Sequence, residues 1–242
     1  MTVAALADIH GNIDALDAVL ADPRCASADE IVVLGDVVAG TFPVECLNRL
    51  DSLGRQVRIL RGNADRIVLE DEGEESRWVR DRLGRKRLAA VAAWPTSFVI
   101  EVEGLGAVHC CHATPRDDED ILTPITPEAE AAASFEGTTE PIVLGGHTHM
   151  QFERRIRDWR FVNVGSIGRP REVIPAAYWA LLGPDIELVS TDYDVASAAE
   201  AVLASGQPRA EQVVEVLLHP PRPDEAALVL EEWRRERLSD SV

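Results

Sequence analysis

Four short apolar segments of this chain end in the same way, with glycine next to aspartate, asparagine or histidine. They cover residues 3–7, 31–34, 57–60 and 142–144, and the polar residues that follow them are Asp8, His10, Asp36, Asn63, His147 and His149. Each segment consists mainly of β-branched and aliphatic residues over the length of a strand. A glycine beside a polar residue marks a tight turn. The pattern predicts strands that present polar side chains at their carboxyl ends.

The segments between the first three strands are typical of helices. Ile13, Leu16 and Val19 share one face at helical spacing, Asn12 can cap the helix start, and residues 43–53 carry a similar pattern. Alternating strands and helices predict parallel βαβ units and the α/β fold class. Ligands of open α/β sheets bind just outside the carboxyl ends of the strands. The polar clusters therefore lie where a site is expected.

The rest of the chain predicts a second sheet and a helical C-terminal part. A helix is expected over residues 76–93 and a short one within 116–135. Further strands are expected at residues 98–102, 107–111, 160–164, 177–182 and 186–190. Beyond Asp194 the sequence is helical and charged, and Pro220 to Pro223 divide it into two pieces. We expect a main domain of residues 1–194 and a C-terminal helical extension of residues 195–242 packed on it.

Composition excludes some classes of partner. The chain has 242 residues, of which 46% are hydrophobic, and a net charge of −18. This charge argues against a nucleic acid as the main partner and against an anionic membrane surface. No apolar run approaches the roughly 20 residues of a membrane span, no basic N-terminal leader is visible, and the four cysteines form no Cys-x-x-Cys pair. We expect a cytoplasmic protein, and the sequence leaves its oligomeric state open.

Seven polar residues at predicted strand ends carry the chemistry. They are Asp8, His10, Asp36, Asn63, His112, His147 and His149. Two carboxylates, one amide and four imidazoles are more ligands than one metal ion needs, and they suit two divalent ions that share a carboxylate. Mixed oxygen and nitrogen ligands favour Mn²⁺, Fe or Zn²⁺ over Ca²⁺. The alternative is that all seven are ordinary turn and capping residues, but four of the six histidines fall in this set.

These motifs resemble those of the calcineurin-like metallophosphoesterases. Within this family, they most resemble those of the small prokaryotic phosphodiesterase-like branch. Asn163-Val164-Gly165-Ser166-Ile167-Gly168-Arg169-Pro170 resembles a conserved turn of that branch, so the resemblance spans residues 8–170. It implies a four-layer α/β/β/α sandwich of two mixed sheets with flanking helices. The strand pair that ends near Asp194 also fits, whereas about the last 48 residues match no motif of the family.

The resemblance also implies the role of each ligand. Asp8, His10, Asp36 and His149 would bind the first metal ion, and Asp36, Asn63, His112 and His147 the second. Asp36 would bridge the two ions, which we expect to be Mn²⁺, and a hydroxide between them would attack a small phosphodiester or phosphomonoester. Two divalent ions outweigh the charges of Asp8 and Asp36, so an acidic protein can still attract a phosphate at this site.

Two arginines are candidates for binding the substrate. Arg61 resembles an arginine that contacts substrate phosphate in the protein-phosphatase and dinucleoside-tetraphosphatase branches. With Asp36 and Asn63 it completes the set of catalytic candidates. Arg169 is a second candidate, because a guanidinium group binds phosphate through two parallel hydrogen bonds. The alternative for both is an arginine without a functional role at the end of a strand.

The sequence departs from the family pattern at two positions. Ala64 stands where the protein-phosphatase branch has a histidine that protonates the leaving group, so the acid would have to come from Asp65 or a metal-bound water. His112 is followed by Ala113 where glycine is usual. His109 is a rival ligand, but it lies three residues back on the same strand and so faces the other way.

Other activities are compatible with the same motifs. The presence of Arg61 favours a dinucleoside tetraphosphatase or a Ser/Thr protein phosphatase, whereas alanine at position 64 argues against both activities. A non-catalytic scaffold should have lost ligands, and here all seven are present. The basic helix around residues 77–87 either grips an extended phosphate chain or is a solvated face. Trp78 is either a core residue or a platform on which a base stacks.

Overall fold

The computed structural model describes residues 1–54 and 57–240. Its strands are β1 (Val3–Leu6), β2 (Glu30–Val33), β3 (Val57–Ile59), β4 (Ser97–Val102), β5 (Gly106–Cys111), β6 (Ile142–Gly145), β7 (Gln151–Ile156), β8 (Trp159–Val164), β9 (Ala177–Leu182) and β10 (Ile186–Thr191). Its helices are α1 (Ile13–Ala21), α2 (Pro23–Ala26), α3 (Pro43–Asp51), α4 (Asn63–Glu70), α5 (Glu74–Ala92), α6 (Glu128–Ala133), α7 (Val195–Ala204), α8 (Ala210–Leu218) and α9 (Pro223–Asp240). None of these helices has the length and apolar character needed to cross a membrane.

The strands form two five-stranded mixed sheets. The first has the order β10-β9-β1-β2-β3, in which β1, β2 and β3 are parallel. The second has the order β4-β5-β6-β8-β7, in which β5, β6 and β8 are parallel. Antiparallel strands flank both parallel triplets. Each sheet therefore has one end at which the carboxyl ends of three neighbouring parallel strands lie side by side.

The hydrophobic core lies between the sheets and under the helices on either side. In β1, Val3 and Ala5 join the cluster that fills the space between the sheets, whereas Ala4 and Leu6 pack under the helices of the first sheet. This alternation follows from the period of two along a strand. A separate cluster under α6 covers the outer face of the second sheet. The four-layer α/β/β/α arrangement implied by the sequence motifs is confirmed.

Several elements differ from the sequence-based expectation, among them the short helix α2, which the sequence analysis does not predict. Strand β7 is not predicted, because its sequence Gln-Phe-Glu-Arg-Arg-Ile is mostly polar; it lies at the edge of the second sheet and pairs only with β8. Helix α4 is also not predicted, because Asn63 and Asp65 look like turn residues. Asp65 is the third residue of α4 and accepts a hydrogen bond from the N–H of Gly62, which forms part of a capping box.

The C-terminal part consists of three helices, not the two pieces expected from Pro220 to Pro223. The first piece is divided again by residues 205–209, which separate α7 from α8. Helix α9 packs Ala226, Ala227 and Leu230 against Met150. The buried carboxylate of Glu231 on α9 accepts hydrogen bonds from the hydroxyl groups of Thr123 and Thr126. The division of the chain into domains at residue 194 stays a prediction.

Candidate metal centre

The two sheets bring the predicted ligands to one place. Asp8, Asp36 and Asn63 follow the parallel strands β1, β2 and β3 of the first sheet. His112 and His147 follow the parallel strands β5 and β6 of the second sheet, and His10 and His149 lie two residues beyond Asp8 and His147. All seven side chains meet where the carboxyl ends of the two parallel triplets face each other.

Four of these side chains form the first cluster. Asp8, His10, Asp36 and His149 each offer one ligand atom, and the four atoms lie within 4.8 Å of one another. Nε2 of His149 lies 3.1 Å from Nε2 of His10 and 3.3 Å from Oδ1 of Asp8. The cluster is the same set of residues that the sequence motifs imply for the first metal ion.

The second cluster lies on the other side of Asp36. Oδ1 of Asn63 lies 2.8 Å from Nε2 of His112 and 3.0 Å from Nδ1 of His147. Oδ2 of Asp36 lies 3.4 Å from Nε2 of His112 and 3.5 Å from Nε2 of His10. One carboxylate oxygen thus stands between the two groups of side chains, which is the arrangement a bridging ligand needs.

Backbone carbonyl groups orient three of the histidines. Nδ1 of His10, His112 and His149 lies 3.1, 2.7 and 2.7 Å from the carbonyl oxygens of Ala39, Leu34 and Arg169, respectively. A carbonyl oxygen can only accept, so each Nδ1 carries the proton and donates it. In the neutral ring, Nε2 then has a free lone pair directed into the centre, as a metal ligand requires.

The backbone at the centre is strained. Five of the seven predicted ligands have a positive φ, between 48° and 65°: Asp8, His10, Asp36, His147 and His149. Residues other than glycine adopt this left-handed backbone conformation rarely and at an energetic cost. Residues that do adopt it cluster at functional sites. The strain turns each side chain back toward its neighbours.

Glycine is required where the backbone passes close to the ligands. A Cβ atom on Gly62 would lie 2.1 Å from Oδ1 of Asp36, and one on Gly40 would lie 1.6 Å from the carbonyl oxygen of His10. Neither contact is sterically possible without movement of the ligand. The two glycines thus let the loops close around Asp36 and His10.

One oxygen of Asp8 tests whether these residues fit a metal ion. Oδ2 of Asp8 accepts a hydrogen bond from the N–H of His147 at 2.9 Å. Oδ1 is fully buried and has no hydrogen-bond partner among the described residues. A buried carboxylate oxygen left without a donor is costly unless a cation satisfies it. The residues present therefore fit a divalent metal ion at the first cluster.

The electrostatics of the histidines agree with this fit. Burial lowers the pKa of His10, His147 and His149 to about 3, so all three are neutral at pH 7 and can act as ligands. Burial also opposes the charged form of His112, but the nearby Asp36 carboxylate outweighs it and raises the pKa of His112 to about 10. Metal binding at His112 would release this proton.

Asp65 has a role that the sequence analysis did not identify. Its side chain is fully buried, and its carboxylate accepts hydrogen bonds from the N–H groups of Val37 and Val38 at 2.9 Å and of Gly62 at 3.1 Å. Burial and the neighbouring Asp36 raise the pKa of Asp65 to about 7. Asp65 holds the loop after Asp36 in place, and these bonds occupy both of its oxygens.

The other candidates occupy different surroundings. Nη1 of Arg61 donates a hydrogen bond to the carbonyl oxygen of Ala92 at 3.1 Å, and its role in phosphate binding stays a prediction. Arg169 lines a cavity together with His10. Nδ1 of His109 lies 3.5 Å from Oε2 of Glu140, outside the two clusters.

The sequence profile of the calcineurin-like phosphoesterase superfamily domain matches residues 1–182. The chain belongs to this superfamily, as its motifs predict. It is 27% identical, over 237 residues, to an uncharacterized protein of Methanocaldococcus jannaschii; the match covers 85% of this chain and 93% of that protein.

Two solved structures have a similar fold. A metallophosphoesterase from Sphaerobacter thermophilus is 25% identical, with a TM-score of 0.74 over 90% of this chain and 98% of that one. A hypothetical protein from Pyrococcus horikoshii is 19% identical, with a TM-score of 0.80 over 91% of this chain and 99% of that one. Both similarities cover more of the chain than the 182 residues of the profile match, so they extend into the C-terminal part.

Proposed function

We propose that this protein is a metal-dependent phosphoesterase that hydrolyses small phosphodiesters or phosphomonoesters at a centre of two divalent ions. The observation that carries the proposal is the position of Asp36, whose Oδ2 atom lies between Nε2 of His10 and Nε2 of His112. Membership of the calcineurin-like phosphoesterase superfamily supports the reaction class. The mixed oxygen and nitrogen donors favour Mn²⁺, with Fe or Zn²⁺ as alternatives.

Each part of the centre has a task in this proposal. Asp8, His10, Asp36 and His149 would hold the first ion, and Asp36, Asn63, His112 and His147 the second. Two divalent ions bound there would supply an activated water as the nucleophile and neutralise the charge of a phosphoryl group. The carbonyl groups behind His10, His112 and His149 hold the proton of each neutral imidazole on Nδ1 and so fix the orientation of the ring.

Among the described residues, neither Ala64 nor Asp65 supplies an acid for the leaving group. Ala64 has no proton to give, and both oxygens of Asp65 accept backbone hydrogen bonds. A general acid contributes about 10²–10⁴-fold to a rate. We therefore expect esters with good leaving groups to be hydrolysed most readily. This preference opposes a Ser/Thr protein phosphatase, whose alkyl leaving groups need protonation.

Partners and location follow from the same proposal. The substrate is a small phosphoester, and the net charge of −18 opposes a nucleic acid or an anionic membrane as the main partner. The four buried cysteines suit the reducing cytoplasm. Residues 195–242 are proposed as a helical extension of the catalytic domain.

Release of 4-nitrophenol tests the proposal. The protein is stripped with a chelator, reloaded with Mn²⁺, Fe²⁺ or Zn²⁺, and mixed with bis(4-nitrophenyl) phosphate or 4-nitrophenyl phosphate. We expect hydrolysis that requires added metal and that is absent from the stripped protein. Equal rates with and without metal, or no hydrolysis by a protein shown to hold two ions per chain, would rule the proposal out.

A further inference from the structure

A cavity of about 180 Å³ opens beside the candidate metal centre. His10 and Ala64 form its inner end, where they adjoin the ligand clusters. Ile67 of α4 and Trp78 of α5 line its sides, together with Arg169. Gln207, from the segment between α7 and α8, also lines it. The cavity thus joins the metal centre to the C-terminal part of the chain.

Arg169 is the arginine that lines this cavity, whose lining also includes Glu75; Oε1 of Glu75 lies 3.7 Å from Nε of Arg209. The backbone of Arg169 is fixed, because its N–H donates to Oγ of Ser166 at 2.9 Å and its carbonyl oxygen accepts from Nδ1 of His149 at 2.7 Å. Its guanidinium group, in contrast, has no hydrogen bond or ion pair with any residue in ranges 1–54 and 57–240, although the side chain is half-buried. A partly buried guanidinium with five unused donors favours an anionic ligand.

The outer wall of the cavity is held in place by polar contacts. The indole N–H of Trp78 donates to the carbonyl oxygen of Gly206 at 3.1 Å, and Nη2 of Arg82 donates to that of Ser205 at 3.3 Å. The guanidinium of Arg82 also packs over the Trp78 ring. Gln207 is buried, and its side-chain carbonyl accepts a hydrogen bond from the hydroxyl of Thr41. These contacts tie the α7–α8 segment to α5 and to the loop after Asp36.

The size of the cavity limits what it can hold. A cavity of about 150 Å³ in a protein interior accommodates benzene. A space of about 180 Å³ therefore takes a group of roughly one ring. Ile67 and Trp78 offer apolar surface to such a group, and Gln207 offers a polar one.

We infer that this cavity binds the organic group of a phosphoester about one ring in size, with the Arg169 guanidinium holding a phosphoryl oxygen at its inner end and Trp78 and Gln207 limiting its length. The inference rests on the proposed function and names the substrate class. Arg169 would contact the substrate directly, while the α7–α8 segment would set specificity.

Binding of orthophosphate tests the part played by Arg169. Calorimetry on the Mn²⁺-loaded protein compares wild type with Arg169→Met and with Arg235→Met, which removes an exposed arginine of α9. Charged hydrogen bonds of this kind correspond to roughly a ten- to hundredfold change in affinity. We expect Arg169→Met to weaken orthophosphate binding by that factor, with metal content unchanged, and Arg235→Met to bind as wild type does. Equal affinity in all three proteins overturns the inference.

Filling the cavity tests its part in specificity. Ile67 lines the cavity and is 38% exposed, so Ile67→Trp can place a larger side chain there without disturbing the core. Leu228→Trp makes the same kind of change on α9, where Leu228 is 65% exposed. We expect Ile67→Trp alone to raise KM for 4-nitrophenyl phosphate at least about tenfold. Orthophosphate affinity should stay unchanged. An unaltered KM overturns the inference.

A comparison of substrates completes the test. 4-Nitrophenyl phosphate has one ring and 4-methylumbelliferyl phosphate has two, and their leaving groups are of similar acidity. The wild-type protein should prefer the smaller ester in kcat/KM, and equal values count against a cavity of limited length. If the Mn²⁺-loaded protein hydrolyses neither of these monoesters nor bis(4-nitrophenyl) phosphate, the proposed function fails, whereas the calorimetric comparison of Arg169→Met still decides the anion site.

Discussion

Oδ1 of Asp36 accepts a hydrogen bond from the backbone N–H of Ala64 at 2.8 Å. Ala64 is the second residue of α4, where the unpaired N–H groups of a helix favour a negative charge. The bond fixes the rotation of the carboxylate, so that Oδ2 faces His10 on one side and His112 on the other. The beginning of a helix that the sequence did not predict thus orients the central ligand of the site.

Asp36→Asn tests this arrangement. Even substitution of a residue that only hydrogen-bonds to a metal ligand lowers metal affinity or activity by about 10–100-fold. Loss of a ligand shared by two ions should therefore reduce hydrolysis by about a hundredfold or more and lower the metal content below two ions per chain. Turnover of an aryl phosphate and metal analysis by mass spectrometry measure the two effects.

Asp158→Asn is the matched control for this substitution. Asp158 is exposed in the turn before β8, at the end of the second sheet opposite the ligands. The Asp158→Asn variant should keep the turnover and metal content of the wild type. Near-normal turnover of Asp36→Asn with two ions still bound would remove Asp36 from the bridging position.

Removal of metal should destabilise the protein. Without ions, the buried carboxylates of Asp8 and Asp36 face each other, and Oδ1 of Asp8 accepts no hydrogen bond from the described residues. An ion present at about 100 times its dissociation constant stabilises the folded state by roughly 2.7 kcal/mol. For a chain of this length, that corresponds to a loss of roughly 5–10 °C in Tm on chelation. Calorimetric scans with and without chelator measure it, and added Mn²⁺ should restore the original Tm. An unchanged Tm in protein shown to be metal-free would argue against the centre.

Gly62→Ala should disturb the centre through Asp36. The added Cβ would meet Oδ1 of Asp36 at 2.1 Å, so either the carboxylate or the start of α4 must move. Overpacking of this kind costs about 1–3 kcal/mol. We expect a lower free energy of unfolding in urea and weaker metal binding. In Gly183→Ala the Cβ meets only Thr2 at 3.7 Å, an ordinary contact, so this control should be tolerated. Equal stability of the two variants would contradict the close approach at Gly62.

Ala64→His should supply an acid for the leaving group. Ala64 borders the cavity at the metal centre, so a histidine there can reach the departing oxygen. The wild-type rate should fall steeply as the pKa of the leaving group rises, with weak activity on phosphoserine peptides. The histidine should raise turnover of phenyl and alkyl esters more than that of 4-nitrophenyl esters, because a general acid helps poor leaving groups most. A wild-type rate independent of leaving-group pKa, with product release shown not to limit it, would point to an acid elsewhere.

The sequence predicts the positions of the ligands because the signal is local. Strand ends followed by glycine and a polar residue can be recognised one at a time, and parallel topology brings their carboxyl ends together. The clustering of Asp8, His10, Asp36 and His149 within 4.8 Å agrees with that expectation. The parallel strands β1, β2 and β3 follow from the alternation of strands and helices, whereas the two mixed sheets are implied by the family resemblance.

Other features depend on contacts between distant parts of the chain. The contact between Thr41 and Gln207 joins residues 166 positions apart, and no periodicity indicates it. Edge strand β7 carries mostly polar residues because only one strand pairs with it. The positive φ of Asp8 and His147 arises from tertiary constraints, since intrinsic preference disfavours it. The hydrogen bonds of Asp65 with Val37 and Val38 join residues 28 and 27 positions apart, and no local pattern indicates them.

Anomalous diffraction from crystals of the Mn²⁺-loaded protein tests the two-ion centre most directly. Data collected near the manganese absorption edge locate each ion independently of any assay. We predict two anomalous peaks about 3.5–4 Å apart, one on each side of the Asp36 carboxylate, with Asp8, His10 and His149 around one and Asn63, His112 and His147 around the other. A single peak, or peaks that do not share Asp36, would contradict the account.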